Sequence, residues 1–293
     1  MALNTNFNVD PYYDDFNEDK NFHRILYKPG YAVQSRELTQ SQTILQDQIK
    51  KFGDHVFKSG SIVTGGQIFV QNTAYINLAS TYSGSDITAA NFNQEYITNT
   101  TGTKKAYVLK AYSADSATGD PVTLIINQMY GSDFTAGETI ITANTDGSAV
   151  NYYANTASSN PTGNSKTFSI NEGVFYYEGF FVKNQAQSVA LSKYSSNSSV
   201  IVGFEVTEDI IDYTEDTTLL DPAQSSSNFQ APGADRFKIN LTLTTRSLDS
   251  TDLSQFIQLS QFADGIQQKV IATPIYSTIG DEMARRTYDE SGD

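Results

Sequence analysis

Residue types suited to chemistry are sparse in this chain and scattered along it. The two histidines, His23 and His55, stand far apart, with no His-x-His or His-Glu-x-x-His spacing that would turn two imidazoles toward one zinc ion. Cysteine is absent, which removes disulfides, thiolate metal sites and a thiol nucleophile together. No glycine-rich phosphate loop of either common spacing opens a helix after a strand. The densest chemical feature is a run of acids, Glu205, Glu208, Asp209, Asp212, Glu215, Asp216 and Asp221, with no Lys or Arg among them. Paired carboxylates serve glycoside hydrolysis or calcium binding when held at set distances. The central glycine and terminal glutamate of a calcium loop are missing, so the run reads as a solvated loop or one facing a basic neighbour. Neighbouring aromatics such as Tyr152 and Tyr153 could offer flat faces to a sugar, although the chain has 18 Tyr and no Trp. These observations point to no catalytic residue, no metal and no cofactor. The alternative reading is a glycan-binding or glycan-cleaving protein, with a surface glycan as a possible partner.

The formal net charge is -14, which repels nucleic-acid phosphates and anionic lipid. No stretch approaches the ~20 apolar residues of a membrane span, and the first residues lack the basic and apolar regions of a signal peptide. Neither nucleic acid nor membrane insertion is therefore expected, and the chain reads as one made and assembled in the cytoplasm. Aromatic, Thr, Ser, Asn and Gly enrichment predicts a mainly β fold with one long N-terminal α-helix, an α+β arrangement.

Residues 1–33 read as an extended arm, because Asn8-Val9-Asp10-Pro11 and Lys28-Pro29-Gly30 carry turn chemistry. Its Tyr12, Tyr13, Phe16, Phe22, Ile25, Leu26 and Tyr27 are too apolar for a tail that stays in water, so it should dock on a surface. Residues 34–80 then give a helix and a hairpin. The helix is predicted from Ser35, as its cap, to Lys58. Leu38, Gln42, Leu45, Ile49, Phe52 and Val56 alternate steps of four and three, the spacing of a coiled-coil seam. That stripe must be buried, either on the protein's own sheet or between subunits.

Past Gly60 the apolar period becomes two. Ile62-Val63-Thr64, Gly65-Gly66 and Gln67-Ile68-Phe69-Val70 predict a hairpin, and Val174 to Tyr177, Glu178-Gly179 and Phe180 to Val182 predict a second of the same design. Sliding one over the other aligns Gly60 with Gly173 and Gly66 with Gly179. Residues 81–165 differ in texture, with short strands at Tyr107 to Tyr112, Val122 to Ile126 and Thr139 to Thr142, and read as an inserted small β-barrel-like domain. The hairpins, with residues 166–248, form a sandwich-like main domain holding two alternating strands, Val200 to Val206 and Phe237 to Leu243. The irregular connection between these strands is long enough to be functional or packed on a neighbour. Residues 249–293 supply strands at Phe256 to Leu259 and Val270 to Thr273 and a short helix from Thr278 to Tyr288, and the chain is expected to continue past Asp293.

Three blocks resemble a family from tailed bacteriophages, cyanophage-like viruses especially: virion proteins carrying a domain of undefined biochemical role, encoded among baseplate and tail-fibre genes. They are Tyr27-Lys28-Pro29-Gly30-Tyr31-Ala32-Val33-Gln34-Ser35-Arg36-Glu37-Leu38-Thr39-Gln40-Ser41-Gln42, Leu220-Asp221-Pro222-Ala223-Gln224 with Ala231-Pro232-Gly233-Ala234-Asp235-Arg236, and Ala284-Arg285-Arg286-Thr287-Tyr288-Asp289-Glu290-Ser291-Gly292. The resemblance implies a non-enzymatic structural subunit of the virion tail. Its seat would be the baseplate or the baseplate-proximal root of a tail fibre, and its partners itself and other baseplate or tail-fibre proteins. A homo-oligomer is expected, with a trimer favoured by the family setting and the helix stripe. The residues expected at interfaces are Tyr12, Tyr13, Phe16 and Tyr27 of the arm, Leu38, Leu45, Ile49, Phe52 and Val56 of the helix, and Asp221 of the long connection. Arg36, Arg236, Arg285 and Arg286 are expected to form ion pairs, across an interface or within the chain.

Overall fold

The computed structural model describes residues 3–143, 151–270 and 278–292. A helix α1 (Ser35–Val56) follows the arm, then strands β1 (Ile62–Gly65), β2 (Ile68–Asn77), β3 (Thr81–Tyr82), β4 (Ser85–Asp86), β5 (Tyr96–Asn99), β6 (Lys105–Tyr112), β7 (Thr123–Tyr130) and β8 (Thr139–Ala143). Next come β9 (Tyr153–Asn155), β10 (Thr162–Ile170), β11 (Gly173–Tyr177), β12 (Phe180–Asn184) and β13 (Gln187–Ser192). The chain closes with β14 (Val200–Ile211), β15 (Arg236–Ser247), β16 (Phe256–Ala263), β17 (Ile266–Val270) and helix α2 (Thr278–Ser291). The chain is mainly β with two helices, and the long one stands behind the arm instead of at the N-terminus. Of the strand expected at Val270 to Thr273, residues 271–273 lie outside the described residues.

An eight-stranded antiparallel sheet, in the order β13-β10-β2-β7-β6-β5-β8-β9, curls into a half-barrel. The barrel expected for 81–165 does not close on itself. β2 has ten residues, long enough to pair with β10 along most of its length and, over Ala74–Asn77, with β7 on its other edge. Strands of the segment thereby extend the same sheet, while Phe92, Ile97, Val108, Leu124 and Ile140 build a core of their own beneath it. A four-stranded sheet, β15-β14-β16-β17, covers the other end. Its alternating Val202, Phe204, Val206, Leu241 and Leu243 face Phe168, Phe175 and Tyr177, with Phe175 and Phe204 edge to face at 4.9 Å. Burying side chains of this size contributes roughly 1.5–3 kcal/mol each.

The first of the two expected hairpins is corrected. β1 and β2 belong to different sheets, and β1 pairs with β11 in a three-stranded sheet, β1-β11-β12. Gly65 and Gly66 do adopt left-handed φ values of +66° and +65°, but they swing the chain from one sheet to the next. The segments that looked like repeats are ladder partners, with Gly65 opposite Gly173 and Ile62 opposite Phe175. The backbones come so close that a Cβ on Gly173 would sit 2.4 Å from the Gly66 nitrogen. The second hairpin forms as read: β11 and β12 are joined by Glu178 and Gly179, both left-handed, the combination of a tight hairpin turn.

Candidate subunit interface

Helix α1 carries the seam read from the sequence, and its three faces meet three environments. Its start is capped by Gln34, one residue before the expected Ser35: the Gln34 N–H donates to Glu37 Oε2 at 2.9 Å, and Ser35 is already helical. Glu37 thus closes the first turn from within and places an anion at the positive end of the helix.

One face docks on the β11–β12 hairpin. Gly53 lets the helix close on the buried ring of Tyr176, whose hydroxyl donates to Asp54 Oδ1 at 2.7 Å and to the Lys50 carbonyl at 3.2 Å. Gln46 Nε2 donates to the Gly179 carbonyl at 2.6 Å, and Lys50 Nζ reaches Glu178 Oε2 at 2.6 Å. A second face is strapped by the arm. Buried Asp14 accepts from the Thr43 hydroxyl, Gln40 Nε2 donates to Asp15 Oδ1 at 3.0 Å, and Lys51 pairs with Glu18 at 3.2 Å. Arg36 lies 3.7 Å from Asp15, an ion pair within the chain.

The third face is the seam, and it points into solvent. Leu38, Leu45, Ile49 and Phe52 are 53, 65, 45 and 72 % exposed, Gln42 is exposed among them, and Val56 is half-buried at the end. The helix docks on its own sheet through a different set of residues, so the seam is left uncovered by the described chain, even with α2 lying beside α1. The second half of the arm continues this surface, with Phe22, Leu26, Tyr27, Tyr31 and Val33 exposed.

The first half of the arm binds its own body. Glu208 accepts from the Asn4 and Thr5 N–H groups and from the Thr5 hydroxyl at 2.8–3.1 Å, and Phe7 meets Phe237 edge to face at 5.0 Å. Tyr12 donates to Asp235 Oδ2 at 2.5 Å, Phe16 is half-buried, and Tyr13 is exposed with its hydroxyl on Asp10. The acidic run is therefore divided among separate tasks. Glu205 pairs with Arg246 at 3.2 Å, Glu208 holds the arm, and Asp212 and Asp216 cap their own turns through Thr214 and Thr218. Glu208, read with the acidic run as solvated, was missed; its signal was the phase it shares with Val202, Phe204 and Val206, since a carboxylate on a core-facing phase needs donors.

Asp221 folds the long connection on itself, its backbone bonded both ways to Ala231 and Gln230. Arg236 donates to the carbonyls of Ala234 and Asp235, and Arg285 pairs with Asp289 inside α2 at 3.2 Å, beside Arg286. The structure does not bring Tyr152 and Tyr153 together: Tyr152 leans on Phe92, and Tyr153 stacks on Tyr82. Among the described residues no three His, Asp or Glu side chains converge as a metal site.

The hydrogen bond to Asp235, then burial and the charges of Asp235 and Asp212, push the Tyr12 phenol up to about 12. Burial, with the hydrogen bond and charge of Asp54, raises Tyr176, and burial with Glu208 raises Tyr177. Each is protonated in the folded state over a range where a free phenol, near pKa 10.0, ionises. Their stabilisation is complete below pH ~10 and is lost as the pH climbs through the folded values. The denaturation midpoint should decline steadily above that point, and Tyr12→Phe should flatten part of the decline. A midpoint whose pH dependence is unchanged in that variant would remove Tyr12 from the account.

The family described as Domain of unknown function (DUF4815) matches residues 10–111 and 142–293, leaving out only the segment around β7 within the span it covers. No curated protein and no solved structure matches the chain.

Proposed function

We propose a structural, non-enzymatic role for this chain, which belongs to the family described as Domain of unknown function (DUF4815). In this reading it is a subunit of a tailed-phage virion, seated at the baseplate or the baseplate-proximal root of a tail fibre, where it joins neighbouring proteins. It is assembled in the host cytoplasm into an oligomer. The observation that carries the proposal is the uncovered apolar surface made by the α1 seam and the second half of the arm, on a body whose own core is already complete. Apolar surface of that extent on a soluble chain marks a contact site. The resemblance of the Tyr27 to Gln42, Leu220 to Arg236 and Ala284 to Gly292 blocks to phage virion proteins supplies the setting. The acidic balance of the remaining surface suits such a role by limiting unspecific association.

The experiment is incorporation into particles. Phe22, Leu26 and Tyr31 are exposed, so replacing all three by serine leaves the body intact. The triple variant should enter particles at least about tenfold less than the parent, the loss that ~1.4 kcal/mol of contact energy produces. Equal incorporation by a folded variant would overturn the reading.

A further inference from the structure

We infer that the α1 seam pairs with the same seam of a second copy of this chain, the two helices parallel and in register; this rests on the assembly role proposed above and names its partner. The seam's charge pattern selects the partner. A chain of net charge -14 repels itself, so copies can meet only where acids are absent. Between Leu38 and Val56 the acidic and basic side chains are Asp47, Lys50, Lys51 and Asp54, and all four lie off the seam. Each is already engaged within the chain: Lys50 with Glu178 and Asp54, Lys51 with Asp47 and Glu18. The residues flanking the seam on the side away from the hairpin are Ser41, Gln48 and His55, none of them a carboxylate. Along α1 itself, two such faces meet without one helix's carboxylates opposing the other's.

Gln42 selects the orientation. Set among Leu38, Leu45 and Ile49, its amide would lose water without replacement against a purely apolar partner, or against Phe52 in an antiparallel pair. In a parallel, in-register pair it meets the other copy's Gln42, and an amide both donates and accepts, so the two satisfy each other. Core shape selects two strands. The seam positions equivalent to Gln42 hold β-branched Ile49 and Val56, those between hold Leu38, Leu45 and Phe52, and β-branched residues alternating with leucine in this order favour a pair over the trimer expected from the resemblance.

The test uses the full chain. Light scattering should give twice the 32.2 kDa chain mass, and Leu45→Asp with Phe52→Asp should return the monomer mass with an unchanged circular dichroism spectrum, since both side chains are exposed. Because the chain has no cysteine, Gln42→Cys should oxidise to a disulfide-linked dimer, whereas Gln40→Cys, on the arm-strapped face, should not. A monomeric parent, a trimer, an oligomer untouched by the aspartates, or linkage at position 40 in place of 42 would each overturn the pairing. The virion role fails separately, on the incorporation of the serine variant.

Discussion

Gly53→Ala is expected to destabilise the protein by about 1–3 kcal/mol, the cost of overpacking a filled interior. The sign is the informative part, because alanine in a helix is ordinarily better than glycine by ~1 kcal/mol. Here the new Cβ would fall 2.5–2.7 Å from the hydroxyl and ring carbons of Tyr176. That ring cannot step aside: it is fully buried, tilted on Phe57 at 5.6 Å, edge to face with Phe181 at 5.5 Å, and tied by its hydroxyl to Asp54. Denaturant unfolding of Gly53→Ala, Tyr176→Phe and the double variant checks the cause. The double variant should lose less than the sum of the singles, because the nearest clashing atom is gone. A stabilised Gly53→Ala would show that α1 does not close on the hairpin as described.

Lys50→Met is expected to cost roughly 2 kcal/mol, below the ~3–5 kcal/mol typical of breaking a buried pair, because the ammonium is partly in water. Glu178 is the buried partner, its side chain 7 % exposed at the left-handed turn of the hairpin. Methionine keeps the apolar stem of lysine but leaves that carboxylate without its cation. Burial works against the Lys50 charge, yet Glu178 and Asp54 outweigh it and raise the ammonium above its ordinary range. A raised lysine contributes fully below its unfolded pKa of ~10.4 and loses the contribution as pH rises through the folded value. The gap between parent and Lys50→Met in unfolding free energy should therefore be constant at neutral pH and narrow in strong alkali. Adding Glu178→Gln to the methionine variant should restore part of the loss, and no recovery would sink the pair's assigned role.

Much of the secondary structure was legible because it rests on local rules. Steps of three and four along Leu38 to Val56 marked α1, strict alternation marked β14 and β15, and Glu178-Gly179 marked the β11–β12 turn. What escaped was pairing at a distance. A glycine pair at Gly65-Gly66 specifies two left-handed residues but says nothing about whether the following strand folds back or crosses to another sheet. The open half-barrel escaped for the same reason, since nothing local in β2 announces that both of its edges are used. The interface was half legible. Periodicity located the seam, but the face that docks α1 on its own hairpin uses Gln46, Lys50 and Gly53, which carry no apolar rhythm. The arm's anchorage depended on Glu208 and Asp235, single acids whose partners are remote in sequence.

β14 and β15 stay paired through all twelve residues of each, and the arm is tied to this ribbon by Glu208, beside Tyr177, and by Asp235 just ahead of β15. A tug on the leading residues would be borne first by those few attachments, next by the bonds of Asp14, Asp15 and Glu18 to α1, and only afterwards by the long ladder beneath. In a pulling measurement the strap should peel while the ribbon stays whole, the extension arriving in small early steps before one large one.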